Sequence, residues 1–333
     1  MKIYEYAIKR FAASLLTLFF LALFVFSVSR IAGDPISAYV DPHMLSKETI
    51  DRIREQYHLN DPVYIQFLYW LRAALMGDFG ISITFGNLPV TSVVIQYFPL
   101  TLELALFTIV ITIPLTIILA TLSVKYRDTW FDHALRVFAV SGRAMPSFFF
   151  ALIVALFFYP PGWITFSPTF NFRAITGMPI FDSLIAGDIH GFVEAVKYLW
   201  GPLVVQVFMQ LALSVRILRA SMIEEVGKDY VIFAKSKGLG SDYVLKKYVR
   251  KNALSSFMTL TGLEIVWLLT GVTITETVFN RKGLGWFSAR AAQALDYNSI
   301  LVYSLITGIF LVVMNTLIDI LYAKVDPRII LGE

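Results

Sequence analysis

Six stretches of this 333-residue chain stay apolar for long enough to cross a lipid bilayer, and that pattern constrains its fold more than any other. They lie at 10–31, 99–124, 138–160, 199–221, 253–279 and 298–323. A helix needs roughly 20 residues to cross the hydrocarbon core. Backbone groups find no water there, so each segment must satisfy them internally. The spacing predicts an all-α integral membrane protein with six transmembrane helices. Composition agrees: 57% of residues are hydrophobic and 16% charged, where soluble domains run to about half and a quarter. Pro114 falls inside the second span, where a helix tolerates it with a kink. Lys2, Lys9 and Arg10 precede the first stretch, a layout shared with secretory signal peptides. Its apolar run is longer than a typical signal core and no clear small-residue cleavage site follows. We expect an uncleaved first span.

Lys and Arg set the orientation. With the N-terminus cytoplasmic, the inside segments are 1–9, 125–137, 222–252 and 324–333, short and dense in basic residues. The outside segments 32–98, 161–198 and 280–297 are far longer and carry fewer. Both termini are therefore expected inside. The chain divides into an N-terminal tail and first span (1–31), an extracytoplasmic subdomain (32–98), a membrane core (99–323) and a C-terminal tail (324–333). In 32–98, Ser46 is placed to cap a helix through Gln56, and Asp61-Pro62 to open another through Met76. Ile50, Ile53 and Tyr57, then Phe67, Trp70 and Leu71, give each an apolar face. This predicts a small helical subdomain resting on the bundle. The aromatics of the next outer loop, Trp163, Phe166, Phe170 and Phe172, suit interfacial anchoring or a substrate-side surface.

Several chemistries are missing from the sequence. There is no cysteine, hence no disulfide or thiolate chemistry. There is no G-x-x-x-x-G-K-[ST] phosphate loop and no H-E-x-x-H, and His43, His58, His133 and His190 are scattered. No G-x-S-x-G elbow occurs. No catalytic, cofactor or metal residue is assigned, and a membrane enzyme is disfavoured. The net charge of +4 sits in loops beside apolar spans, which suits phospholipid headgroups better than nucleic acid. A partner-independent channel or secondary transporter is the rival class. Such proteins usually place several charges at mid-membrane, and here they are few.

The most patterned polar segment instead lies in a loop, between Arg216 and Leu254. Asp229 is placed to cap a helix over Tyr230–Lys237, which Gly238-Leu239-Gly240 would stop. Ser241 would start a second helix with Val244, Leu245, Tyr248 and Val249 on one face and Lys246, Lys247, Arg250 and Lys251 on the other. Ala234 and Gly238, four apart, form a small-residue strip where another surface can come close. The pattern fits a docking element; the alternative is a basic amphipathic loop lying on anionic headgroups.

This segment resembles the cytoplasmic "EAA" loop of ABC importer permeases of the dipeptide/oligopeptide class. The family's Y-[IV]-x-x-A-[KR]-[AS]-K-G-L stretch appears as Tyr230 to Leu239, R-A-S-M as Arg219 to Met222, and R-N-A-L as Arg250 to Leu254 with Lys251 inserted. The general motif's Glu-Ala-Ala falls at Ile232-Phe233-Ala234, where only Ala234 survives. Further similar segments are Ala32-Gly33-Asp34-Pro35, Gly77-Asp78-Phe79-Gly80, Thr101 to Ala105, Glu276 to Phe279 and Gly283-Leu284-Gly285. Asp319, Tyr322 and Asp326-Pro327-Arg328 resemble the C-terminal signature.

The resemblance implies one N-terminal helix plus a five-helix core of the type I importer kind, in the inner (cytoplasmic) membrane. It implies a permease subunit forming half of a translocation pathway for di- or oligopeptides, with import of oligosaccharides as the alternative and of nickel complexes also known in the class. The partners it implies are a homologous second permease, two ABC ATPase subunits carrying ATP and Mg, and an extracytoplasmic substrate-binding protein. The loop helix would dock in a groove of the ATPase through Tyr230, Phe233, Ala234, Lys237, Gly238 and Leu239. Glu264 lies about eleven residues into the fifth span, roughly 16 Å along a helix rising about 1.5 Å per residue. At that depth it should face protein or an aqueous path. Lining the pathway and bonding to a neighbouring span both remain open. Glu103 and Glu276 sit near outer span ends, where structural roles are expected, and Asn315 and Asp319 are placed to brace the inner end of the last span.

Overall fold

The structure is a computed structural model; it describes residues 3–32, 36, 46–56, 58–158, 174–269 and 272–325. The aromatics at 163–172, Tyr57, the 33–35 segment and Asp326-Pro327-Arg328 lie outside the described residues, as do the side chains of Asp319 and Tyr322. The described residues are mostly helical, and the chain forms two compact units, Met1–Thr101 with Leu269–Thr273 and Lys282–Glu333, and Leu102–Leu268 with Ile274–Arg281.

In the first unit, α1 (Ile3–Ala32) lies along α14 (Tyr297–Val325). Gly308 allows this closeness: a Cβ there would stand 2.2 Å from Leu21 Cδ2. The polar segment after α1 holds α2 (Lys47–Gln56) and α3 (Val63–Leu75), within a residue of the sequence expectation. The Ser46 hydroxyl accepts from Thr49 N–H, as a cap should. Phe67, Trp70 and Leu71 of α3 pack on Phe26 of α1 and Leu301 of α14, with Phe26 and Phe67 rings edge-on at 5.4 Å. The predicted face is thus the one that packs.

A two-stranded hairpin follows, β1 (Ile81–Ser82) against β2 (Leu88–Pro89), which no sequence period announces. Asp296 secures it. That buried carboxylate accepts from the Ser82 hydroxyl, Thr84 N–H, Ser299 N–H and the Ser299 hydroxyl, so it caps α14 and anchors the hairpin together. Short α13 (Leu284–Gln293) buries Leu284 and Phe287 against Val90, Val93 and Val302.

Among the described residues four helices are long and apolar enough to span a membrane: α1, α4 (Val90–Lys125), α8 (Ile189–Val226) and α14. A bent pair makes a fifth. This corrects the third span, expected as one helix over 138–160. α5 (Trp130–Ala144) ends before Pro146, and α6 (Ser147–Ile153), continued by a π turn over Val154–Phe158, leaves at 107°. Proline offers no N–H and forces its predecessor out of helix; Met145 is accordingly extended, at φ −75°, ψ 126°. The stretch 253–279 is likewise not one helix, since α11 (Arg250–Leu269) and α12 (Thr273–Val278) are separate. A short α7 (Pro179–Ala186) precedes α8, whose N-cap Asp188 accepts from Gly191 N–H.

Candidate functional site

After α8 the chain forms α9 (Asp229–Ser236) and α10 (Ser241–Val244), the latter running through a π turn at Leu245–Val249 into α11. Lys228, and not Asp229, holds the N-cap position, with no side-chain hydrogen bond to the helix. Asp229 opens the first turn instead, where a carboxylate suits the positive end of the helix dipole. Gly238 ends α9 at φ +76°, a left-handed conformation that costs glycine nothing.

The apolar face of the second helix is where periodicity places it. Val244 and Val249 are buried with Ala120, Val124, Leu218, Met222, Val231 and Phe257, and Leu245 and Tyr248 pack against them. Lys246, Lys247 and Lys251 are exposed. The Lys125 ammonium donates to Asp242 at 2.7 Å, tying α10 to the end of α4 and holding the Asp242 carboxyl below its ordinary range.

The six residues expected to dock divide into two groups. Ala234 is 5% exposed and belongs to the chain's own core, so its small size serves internal packing. This corrects the Ala234–Gly238 strip: only Gly238 is open. Tyr230 also turns inward. Its hydroxyl donates to Glu225 and accepts from Asn252 Nδ2 at 2.9 Å. Burial, then the Glu225 carboxylate, push the phenol above its ordinary pKa, so it remains a donor. Phe233 (60% exposed), Lys237, Gly238 and Leu239 face outward. Ile232, 57% exposed, joins them unanticipated. Helical spacing contained that signal: Val231 and Ala234 point in at i and i+3, which turns 232 and 233 out. The Lys237 ammonium lies 4.5 Å from the Phe233 ring centre.

Beneath the loop, Arg219 of the R-A-S-M segment grips Asp132 with two parallel hydrogen bonds of 2.7 and 2.9 Å and donates to Ser123 at 2.9 Å. Asp132 and Ser123 are fully buried. One guanidinium thereby joins α8, α5 and α4, a link between residues 87 apart in sequence that no local pattern marks. Elsewhere on α4, Glu103 pairs with Arg281 at 2.7 Å, both fully buried, and accepts from Ile180 N–H at 2.7 Å. Glu264 meets the buried Ser214 hydroxyl of α8, 2.9 and 3.0 Å from its two oxygens. Asn315 is half-buried on α14.

Comparison with known proteins bears on this arrangement. Residues 112–331 match the family described as the binding-protein-dependent transport system inner membrane component. The chain is 33% identical to the probable D,D-dipeptide transport system permease protein DdpB of Escherichia coli, over 90% of this chain and 89% of that one. It is 32% identical to the oligopeptide transport system permease protein AppB of Bacillus subtilis (97% and 98% covered). It is also 32% identical to the dipeptide transport system permease protein DppB of Haemophilus influenzae (98% and 99%). A helical chain with several bilayer-length spans, an ordered loop between two of them and this breadth of similarity belongs to the family of binding-protein-dependent transport system inner membrane components.

Proposed function

We propose that this permease forms half of the translocation pathway of an ATP-driven importer of di- or oligopeptides, and that loop 222–252 couples it to ATPase subunits. The single observation that carries the coupling is the outer face of α9. Ile232 and Phe233 stand exposed on a helix whose opposite face is fixed in the chain's own core, and Leu239 is exposed in the turn that follows it. Exposed apolar residues on a well-anchored helix suit insertion into a groove. The anchors suit transmission: Tyr230–Glu225, Lys125–Asp242 and Arg219–Asp132 lead from the loop to α8, α4 and α5. A push on α9 therefore moves span ends and not a slack loop.

In this reading both termini and the loop are cytoplasmic, 32–98 is extracytoplasmic, and six spans cross the membrane, the third and fifth as broken helices. The partners are a homologous but different permease, two ATPase chains that hold ATP and Mg and do the hydrolysis, and an outer binding protein that delivers substrate. ATP-driven closure of the ATPases would carry two such loops together and open the pathway outward. The names of the relatives, all for dipeptides or oligopeptides, support the peptide class; they lend nothing to the oligosaccharide alternative. Single cysteines test the topology cleanly because the chain has none of its own. Ser236→Cys should resist an impermeant thiol reagent in intact cells and react in inverted vesicles; labelling in intact cells would refute the placement. An active purified complex containing two copies of this chain would refute the heterodimer.

A further inference from the structure

Under α9 lies a cavity of about 280 Å³ that the coupling role leaves unused. Ligand pockets run to roughly 300–1,000 Å³, so this one holds a headgroup or a side chain and not a whole peptide. Its walls are Val226 at the end of α8, Val231 of α9 and Val244 of α10. Its rim is basic: Lys125 and Arg127 from the end of α4 and the turn after it, and Lys235 from α9. Ser241 adds a hydroxyl and Asp242 the one carboxylate of the rim, which Lys125 already neutralises at 2.7 Å. Among the described residues Arg127 pairs only with Asp128, at 3.4 Å, with 55% of its side chain exposed. Lys235 makes no ion pair among the described residues.

We propose that this cavity binds the anionic headgroup of a membrane phospholipid. The inference rests on the cytoplasmic placement of the loop. Phosphate chemistry explains the cations, and two further features select a lipid over a free phosphate. Apolar walls return nothing to a small hydrated ion, whereas the glycerol end of a lipid can lie against them. The rim also begins at Lys125, the residue directly after the apolar stretch 99–124, which is where the second span is expected to leave the membrane for the headgroup layer. Basic pockets between spans on the cytoplasmic side are where anionic headgroups settle. An occupied cavity would brace the inner face of α9 from the membrane side, making the stiffness of the coupling helix depend on anionic lipid.

The test uses the full-length chain in detergent, with thermal unfolding and native mass spectrometry read against added phosphatidylglycerol, phosphatidylcholine or inorganic phosphate. Phosphatidylglycerol should raise the unfolding temperature and stay bound, and the other two should do neither. Arg127→Gln with Lys235→Gln should weaken phosphatidylglycerol binding about thirtyfold, from two lost cations, while Arg127→Lys with Lys235→Arg should preserve it. An equal response to phosphatidylcholine, an equal response to inorganic phosphate, or binding unaffected by the double glutamine change would each overturn the proposal. Binding in detergent does not depend on which side the loop faces. Failure here therefore leaves the topology standing, and outside labelling at Ser236→Cys would remove the topology without touching the binding result.

Discussion

Phe233 and Ala234 are neighbours on α9 with opposite surroundings, so substitutions at the two should fail in opposite assays. Phe233 has 60% of its surface open, Ala234 5%. Fully burying a phenylalanine side chain contributes about 1.5–3 kcal/mol. Covering the open part of Phe233 in a partner's groove is then worth about 1–2 kcal/mol, a factor of roughly five to thirty in dissociation constant. Phe233→Ala should weaken ATPase binding by that factor. It should shift the chain's own stability by no more than about 0.5 kcal/mol, as expected of a surface change. Ala234→Leu adds three carbons to a packed cluster containing Val231, Leu218 and Met222. Overpacking of that kind costs about 1–3 kcal/mol of stability, and its effect on binding should follow only from displacement of the helix.

Thermal unfolding of the detergent-purified chain reads the stability, and titration of the immobilised chain with the ATPase subunit reads the binding. The assignment of Phe233 to the docking face fails if Phe233→Ala destabilises the chain as much as Ala234→Leu while leaving ATPase affinity unchanged. The assignment of Ala234 to the core fails if Ala234→Leu is silent in unfolding but abolishes binding, because Ala234 would then lie in the docking face after all.

Gly238→Leu should insert normally yet weaken ATPase association and remove substrate-stimulated ATP hydrolysis, because a branched side chain at φ +76° costs about 1–2 kcal/mol and must displace the turn; Lys246→Ala, on the exposed stripe, should leave both assays unchanged. Arg281→Met should lower stability by about 3–5 kcal/mol by stranding the buried Glu103 charge. Adding Glu103→Gln should recover much of that loss, since a glutamine oxygen still accepts from Ile180 N–H; additive losses in the double-mutant cycle would contradict a direct pair. Glu264→Gln keeps an acceptor for Ser214 and should unfold like the parent, while Glu264→Leu leaves that buried hydroxyl without it at a cost of about 1–3 kcal/mol. In proteoliposomes, a Glu264→Gln variant that loses cationic substrates selectively would assign the carboxylate to the pathway; an unchanged profile would assign it to the helix contact alone.

The helical character and the apolar spans were legible because lipid demands long uninterrupted runs, a signal carried by composition alone. The packing of α3 was legible too, since Phe67, Trp70 and Leu71 recur at helical spacing. What the sequence concealed was interruption and distance. Apolar residues continue on both sides of Pro146, so hydropathy reads one span where the backbone turns by 107°. Pro146, with Ser141, Gly142, Arg143 and Ser147 around it, was the available signal, and the longer apolar runs on either side masked it. The hairpin at 81–89 has strands of two residues each, too short for any period, and depends on Asp296, more than 200 positions away. Glu103–Arg281 and Arg219–Asp132 are likewise long-range pairs that exist only once the helices are assembled.

The loop teaches a narrower lesson about motifs. Tyr230 to Leu239 matches a family pattern as one string, and a string does not distinguish residues kept for a partner from residues kept for the chain itself. On a helix that distinction is angular. Val231 and Ala234 share a stripe that meets Leu218 and Met222, Tyr230 is held beside them by Glu225 and Asn252, and what remains for a partner is Ile232, Phe233 and the Lys237–Leu239 end. In the proposed coupling role the inward residues are needed as much as the outward ones. A docking face transmits force only if its back is fixed, and a helix of eight residues is too short to hold its own shape in water. Half of the motif therefore makes the helix stiff, and in the proposed coupling role the other half is the part a partner would meet.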